Sequence, residues 1–209
     1  MNSKMLSLLA YTYGGFVRQV LDKNKQYVQW IINDKKIFFN TIVPLLEQYP
    51  PLTSRMRLQF EFFKFFLDNP DIKHYFNSRK NKYLDRDSIL PLSINIPSYF
   101  KEWLAGFIEG EGCFSSRIQG NYSFSIAQNH DYYLIKAIRD YYSLNHLTSS
   151  KKGKFSGYPL YEFSVGSAIG TGRVIDHCTP LLQGYKYYQL AEFVNNSKVF
   201  QDRLKEFFN

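Results

Sequence analysis

The sequence predicts an α+β protein built from antiparallel strand hairpins with helices on one face, in two copies of one unit, the first copy incomplete. Two observations carry this. The block Pro-Leu-Leu-x-x-Tyr stands at Pro44–Tyr49 and again at Pro180–Tyr185, and a recurring block marks a repeated supersecondary unit. Around each copy, stretches that alternate apolar and polar residues give way to stretches with apolar residues three and four apart, the strand and helix periods.

In chain order, Ser3–Gly15 reads as an amphipathic helix. Its single Lys and short apolar stretch make a poor secretion signal. Two strand-like runs follow, Gly15–Asn24 and Lys25–Asp34. The block Ile42–Phe66 ends in a helix with Leu58, Phe62, Phe65 and Phe66 on one face. Asp68–Phe100 is polar, basic and punctuated by Pro, and reads as a linker over the surface with its charges in solvent. A helix then leads into a hairpin: Cys113–Ile118, a turn at Gln119-Gly120-Asn121, and a strand over Tyr122–Gln128 in which Tyr122, Phe124 and Ile126 alternate. Tyr132–Asn145 is helical, Leu144–Lys154 and Gly157–Ser167 form a second hairpin with a basic turn, and His177–Phe200 repeats the helical block through Leu190, Phe193 and Val194. The domains expected are a partial first repeat over 1–67, a linker over 68–99 and a complete second repeat over 100–209.

Composition narrows the function. A hydrophobic content of 44% excludes a disordered chain. Lys and Arg exceed Asp and Glu by 26 to 18, a net charge of +8, which points to a polyanionic partner, nucleic acid before membrane surface. No apolar run reaches the roughly 18 residues of a membrane span, so no membrane role is expected. Cys113 and Cys178 form neither a disulfide framework nor a zinc site, which suits a reducing compartment. His130, His146 and His177 have no metal-ligand spacing. Residues with A/T-rich codons (Phe, Tyr, Met, Ile, Asn, Lys) number 85 against 35 for those with G/C-rich codons (Gly, Ala, Arg, Pro). That skew suggests an A/T-rich genome, of which organellar genomes are one kind; the location expected is an organelle, the mitochondrion first.

The stretch Trp103–Phe114, WLAGFIEGEGCF, combines small residues with two glutamates at the end of an apolar helix. Its Leu104–Gly112 segment, LAGFIEGEG, resembles the signature of LAGLIDADG homing endonucleases and intron maturases, with Phe107 in place of Leu and Glu109 and Glu111 in place of Asp. The flanking Trp and Cys-Phe resemble organellar, intron-encoded members, and Tyr27–Arg57 is similar to the segment closing the first half of such proteins.

The resemblance implies a saddle of antiparallel sheets on which two motif helices, one per half, pack together. Leu104, Ala105, Gly106, Ile108 and Glu109 would form that helix interface, small residues allowing close approach. Glu111, with a counterpart from the other half, would hold Mg²⁺ against a scissile phosphate, and Gln128 would lie near the catalytic centre. The outward strand residues expected on nucleic acid are Arg18, Gln19, Lys23, Lys25 and Gln29 in the first copy. In the second they are Arg117, Gln119, Ser123, Ser125, Lys151, Lys152 and Lys154.

The first copy departs from this pattern. Leu104 precedes the aligned Tyr142 by 38 residues, so the equivalent motif in the copy containing Tyr13 falls about 25 residues ahead of Met1. Gly14 and Gly15 have no acid beside them. An open first core then needs a cover, either another protein chain or RNA. Three readings follow. The chain is a co-opted binder of structured RNA, organellar ribosomal or intron RNA, that does not cut on its own and needs no cofactor. Alternatively it is one piece of a split or fused endonuclease making Mg²⁺-dependent double-strand DNA cuts. In the third reading it is a decayed frame kept for assembly.

Overall fold

An 11-residue helix, α1 (Ser3–Tyr13), leads into the hairpin β1 (Phe16–Asp22) and β2 (Lys25–Ile31). The connection needs two glycines: Gly14 and Gly15 have φ of +83° and +88°, and a Cβ on Gly15 would lie 2.4 Å from the Ile31 carbonyl oxygen. β1 and β2 pair antiparallel from Phe16↔Ile31 to Asp22↔Lys25. Lys23 has φ +46°, the left-handed backbone of a tight hairpin turn. The computed structural model describes residues 2–23, 25–84, 86–116, 122–145, 149–152 and 158–207.

A helix then starts at α2 (Lys35–Ile37), where Asp34 Oδ1 accepts from the Lys36 N–H at 2.7 Å. It widens to a π turn over Phe38–Ile42 and continues as α3 (Val43–Gln48). Pro44 explains the widening: its missing N–H and its ring are incompatible with a regular turn ahead of it. α4 (Ser54–Asp68) follows, then α5 (Ile72–Ser78) and a short 3₁₀ helix over Arg86–Ile89. The segment 68–99, expected as a solvated linker, therefore has helical structure, and Arg86 within it turns inward.

The second copy follows the order expected: α6 (Phe100–Glu111), β3 (Cys113–Ser116), β4 (Tyr122–Asn129), α7 (Tyr132–Tyr141), β5 (Ser149–Lys152), β6 (Pro159–Val165), α8 (Ala168–Cys178) and α9 (Tyr185–Asn196). A 3₁₀ helix over Gln201–Phe207 ends the described chain. The four strands form one sheet in the order β3-β4-β6-β5, with β5 antiparallel to β6.

The chain divides into two compact units, one of 1–49, 99–124 and 165–209, the other of 50–98 and 125–164. In the first unit α6 packs on α8 and α9. Phe100, Leu104, Ala105 and Ile108 join Val174, Ile175, Leu190, Phe193 and Val194 in its core. Phe114 of β3 links strand to helix, 5.2 Å from the Phe124 ring and 5.5 Å from Phe193. Each fully buried Leu, Ile or Phe contributes about 1.5–3 kcal/mol. In the second unit α7 buries Tyr133, Leu134, Ile135, Ala137 and Ile138 beside Ile126 and Phe163. The Tyr133 hydroxyl donates to the Leu52 carbonyl at 2.7 Å. By contrast, among the described residues α1, β1, β2, α2 and α3 contain no buried side chain.

Candidate nucleic-acid interface and acidic centre

The motif helix α6 has two faces. Phe100, Leu104 and Ile108, with Ala105 beside them, turn into the core of their own unit. On the other side Trp103, Gly106, Phe107 and Gly110 form a stripe at helical spacing. Trp103 and Phe107 stack there at 4.9 Å and 17°. A Cβ built on Gly106 or Gly110 meets nothing within 4 Å, so both glycines border open space. Of the five residues expected at a helix–helix interface, Leu104, Ala105 and Ile108 are thus taken up by the core, and Gly106 lies on the open stripe.

Glu109 has a specific task within its unit. Its Oε2 accepts the Gly184 N–H at 3.2 Å and its Oε1 the Lys186 N–H at 2.9 Å, at the start of α9. A carboxylate there satisfies donors that the helix leaves unpaired and meets the positive end of its dipole. Gly184 makes the approach possible, because a Cβ on it would lie 2.3 Å from Glu109 Oε1. The Cys178 thiol is pushed up to about 12 by burial, with the Glu109 charge adding to it, so it stays a neutral core group. Burial lowers the pKa of His177, whose Nε2–H donates to the Lys101 carbonyl at 2.9 Å.

Glu111 is exposed at the C-terminal end of α6. A negative charge there opposes the helix dipole, which costs stability. Gly112 closes the turn, its N–H donating to the Ile108 carbonyl at 2.9 Å, and β3 begins one residue later. Among the described residues no group of three or more His, Cys, Asp or Glu is placed to hold a metal ion. A single exposed carboxylate nevertheless fits Mg²⁺, which binds through one or two protein carboxylates and completes its shell with water and substrate phosphate.

Strand alternation sorts the expected nucleic-acid residues. On β1 and β2, Arg18, Lys25, Tyr27 and Gln29 share one face, and the Arg18 Nε–H donates to Gln29 Oε1 at 3.1 Å. Gln19 lies on the opposite face with Val17, Val28 and Trp30. There the Trp30 indole N–H donates to the Gly14 carbonyl at 2.9 Å. Lys23 is exposed in the turn. On β4, half-buried Ser123 and Ser125 face away from buried Phe124 and Ile126, whereas Gln128 falls on the side of that buried pair and is itself half-buried. Glu111 belongs to the first compact unit and Gln128 to the second. Lys151 and Lys152 are described through their backbone pairing alone, with Leu160 and Pro159. Arg117, Gln119, Lys154 and His146 lie outside the described residues.

Sequence reasoning missed a buried polar cluster in the second unit. Asp131, fully buried, accepts from the Ser54 N–H at 3.0 Å and from the Ser54 hydroxyl. Arg86 pairs with the same carboxylate at 3.3 Å and also donates to Ser54 Oγ and the Asn129 carbonyl. His130, 6% exposed and with φ +67°, meets Asp87 Oδ1 through Nδ1 at 2.6 Å. The partners are distant in sequence, so no local pattern announces them.

A motif helix ending in an exposed acid, followed directly by a hairpin, a helix and a second hairpin, is the order that the LAGLIDADG resemblance implies. Residues 104–196 match the LAGLIDADG endonuclease family model. It is 34% identical over 157 residues to the probable intron-encoded endonuclease aI3 of Dictyostelium citrinum, spanning 74% of this chain and 64% of that protein. The protein of the same description from Debaryomyces hansenii is 29% identical over 229 residues, 92% of this chain and 32% of its own length. The chain thus spans less than two thirds of the length of these curated relatives. Among solved structures it resembles I-SmaMI bound to an uncleaved DNA target with calcium ions, at TM-score 0.64 and 17% identity over 99% of this chain and 83% of that one. It also resembles I-LtrWI bound to target DNA, at TM-score 0.62 and 19% identity, over 99% and 83%. These likenesses establish a LAGLIDADG homing endonuclease fold.

Proposed function

We propose that the chain binds duplex nucleic acid along its strand hairpins and that Glu111 is one of two acids in a Mg²⁺-dependent phosphodiester-cleaving centre. The observation that carries this is Glu111 itself, exposed at the negative pole of α6 where it gains nothing for stability. When bound, Mg²⁺ would neutralise charge at the phosphate and lower the pKa of a bound water so that hydroxide becomes available for attack. The chain's own part is to hold the carboxylate at the helix end and to position the strand through Arg18, Lys25, Gln29, Ser123 and Ser125, and through Arg117, Gln119, Lys151, Lys152 and Lys154.

The sequence carries one copy of the motif, so cutting requires a second acid from another motif helix. DNA comes first as target because the structural neighbours are DNA complexes, a shift from the RNA preference expected from sequence. Binding of organellar ribosomal or intron RNA without cleavage is the second reading, and the single copy of the motif in the sequence favours it. An organellar, mitochondrial setting is proposed from the codon skew. Among the described residues no helix is long and apolar enough to cross a membrane.

The test compares the isolated chain, and the chain supplemented with a protein carrying the second motif helix and hairpin, on duplex DNA and structured RNA with and without Mg²⁺. Binding alone, with cutting restored by the supplement and lost in Glu111→Gln, is expected. Cutting that persists in Glu111→Gln overturns the role of this acid. RNA binding tighter than DNA binding, without restored cutting, selects the second reading.

A further inference from the structure

The second unit contains a cleft of about 490 Å³ that the proposed centre does not use. Arg55 from the start of α4, Lys80 and Tyr83 from the segment after α5, and Tyr158 just ahead of β6 line it, together with Arg86 and His130. Arg86 is balanced by Asp131, and the acid of the cleft, Asp87, is engaged by His130. Among the described lining residues, the cations left to act on a ligand are Arg55 and Lys80. The Arg55 guanidinium stands 5.8 Å above the Tyr83 ring. Tyr158 is 54% exposed and packs 4.4 Å from the His130 ring at 46°. His130 is held in the left-handed region, a conformation that costs a non-glycine residue energy and that recurs at functional sites. Its backbone N–H donates to the Pro159 carbonyl at 3.0 Å, which ties the strained residue to the strand behind Tyr158.

Aromatic faces beside cations, in a cleft within the size range of small-ligand sites, match the chemistry of an unstacked nucleotide. We propose that this cleft takes one unpaired nucleotide of a bound strand, its base stacked on Tyr158 and its phosphate met by Arg55 and Lys80. The inference rests on the reading that the chain binds nucleic acid, and assigns it a single-strand contact separate from the duplex-facing hairpins.

The test uses the full chain with a fluorescent single-stranded oligonucleotide and, separately, a blunt DNA duplex. Tyr158→Ala and Lys80→Glu each weaken single-strand binding roughly tenfold while duplex affinity stays within about twofold; Tyr158→Phe retains binding, since stacking and not the hydroxyl is at work. Both positions are exposed, and unchanged melting temperatures verify the fold. Single-strand affinity unmoved by either substitution overturns the proposal, as does an equal loss on duplex, which would make the cleft part of the duplex surface. Failure of the unsubstituted chain to bind either probe overturns this proposal together with the nucleic-acid reading beneath it.

Discussion

Gly184 and Glu109 depend on one another at atomic range. Gly184→Ala forces the Glu109 carboxylate away from the first turn of α9, and a lost N-cap costs about 0.5–2 kcal/mol; a drop in melting temperature, with little further effect of adding Glu109→Gln, is the outcome expected from a thermal melt of the double variant. Arg86→Ala strands the buried Asp131 charge and is expected to destabilise the fold by about 3–5 kcal/mol, measured by urea unfolding. His177 is a weaker but pH-readable case. Its folded pKa lies below its unfolded value near 6.5, so the unfolded chain binds the proton more readily. The stability linked to neutral His177 is present above about pH 6.5 and is lost as pH falls. His177→Gln removes that acid-side loss, which urea midpoints at pH 7.5 and 5.5 would reveal. At this scale the sequence was least legible: Glu109 and Gly184 lie 75 residues apart and Ser54 and Asp131 77 apart, and no local period encodes such pairs.

The elements were read well because each follows a short period. β1 and β2 fall where alternation placed them, and α6, α7 and α9 where apolar residues recur at three and four. Adjacent strand residues point to opposite faces, and the register pairs Arg18 with Gln29 but Gln19 with Val28, so Gln19 lies on the face away from Arg18, Lys25 and Gln29. The faces make a direct prediction. Arg18→Glu and Lys25→Glu each weaken duplex binding and flatten its log–log salt dependence by about one, whereas Gln19→Glu leaves the slope unchanged in a salt titration by fluorescence anisotropy. The segment 68–99 has helical turns and an inward Arg86 that its polar composition does not announce. Polar composition says little when a segment supplies an inward guanidinium such as Arg86, whose worth depends on the acid it meets.

For the whole molecule, burial is unevenly shared between the repeats. The second repeat owns nearly every fully buried apolar side chain, while the first-copy elements from α1 to α3 are half-buried at most among the described residues. A protein or RNA that covers them is expected to stabilise the fold by about 2.7 kcal/mol when present at a hundred times its dissociation constant, and so to raise the melting temperature in a concentration-dependent way. Adding a protein with the second motif helix and following the melt checks this; a melting temperature that ignores the addition counts against such a cover. The codon skew and the motif made the family legible from sequence. The same letters could not say how much of the first repeat's surface stays solvated.

That uneven burial has a temporal side. A two-stranded ladder without a dry face opens easily, since local opening free energies follow buried contact. Amide protons of Val17, Gln19 and Val28 should exchange with deuterated solvent in the earliest time points, whereas those of Leu104, Ile108 and Val194 wait for global unfolding. The β1 and β2 side chains proposed to meet a duplex therefore ride on a ribbon that breathes, while Glu111 ends a helix that does not.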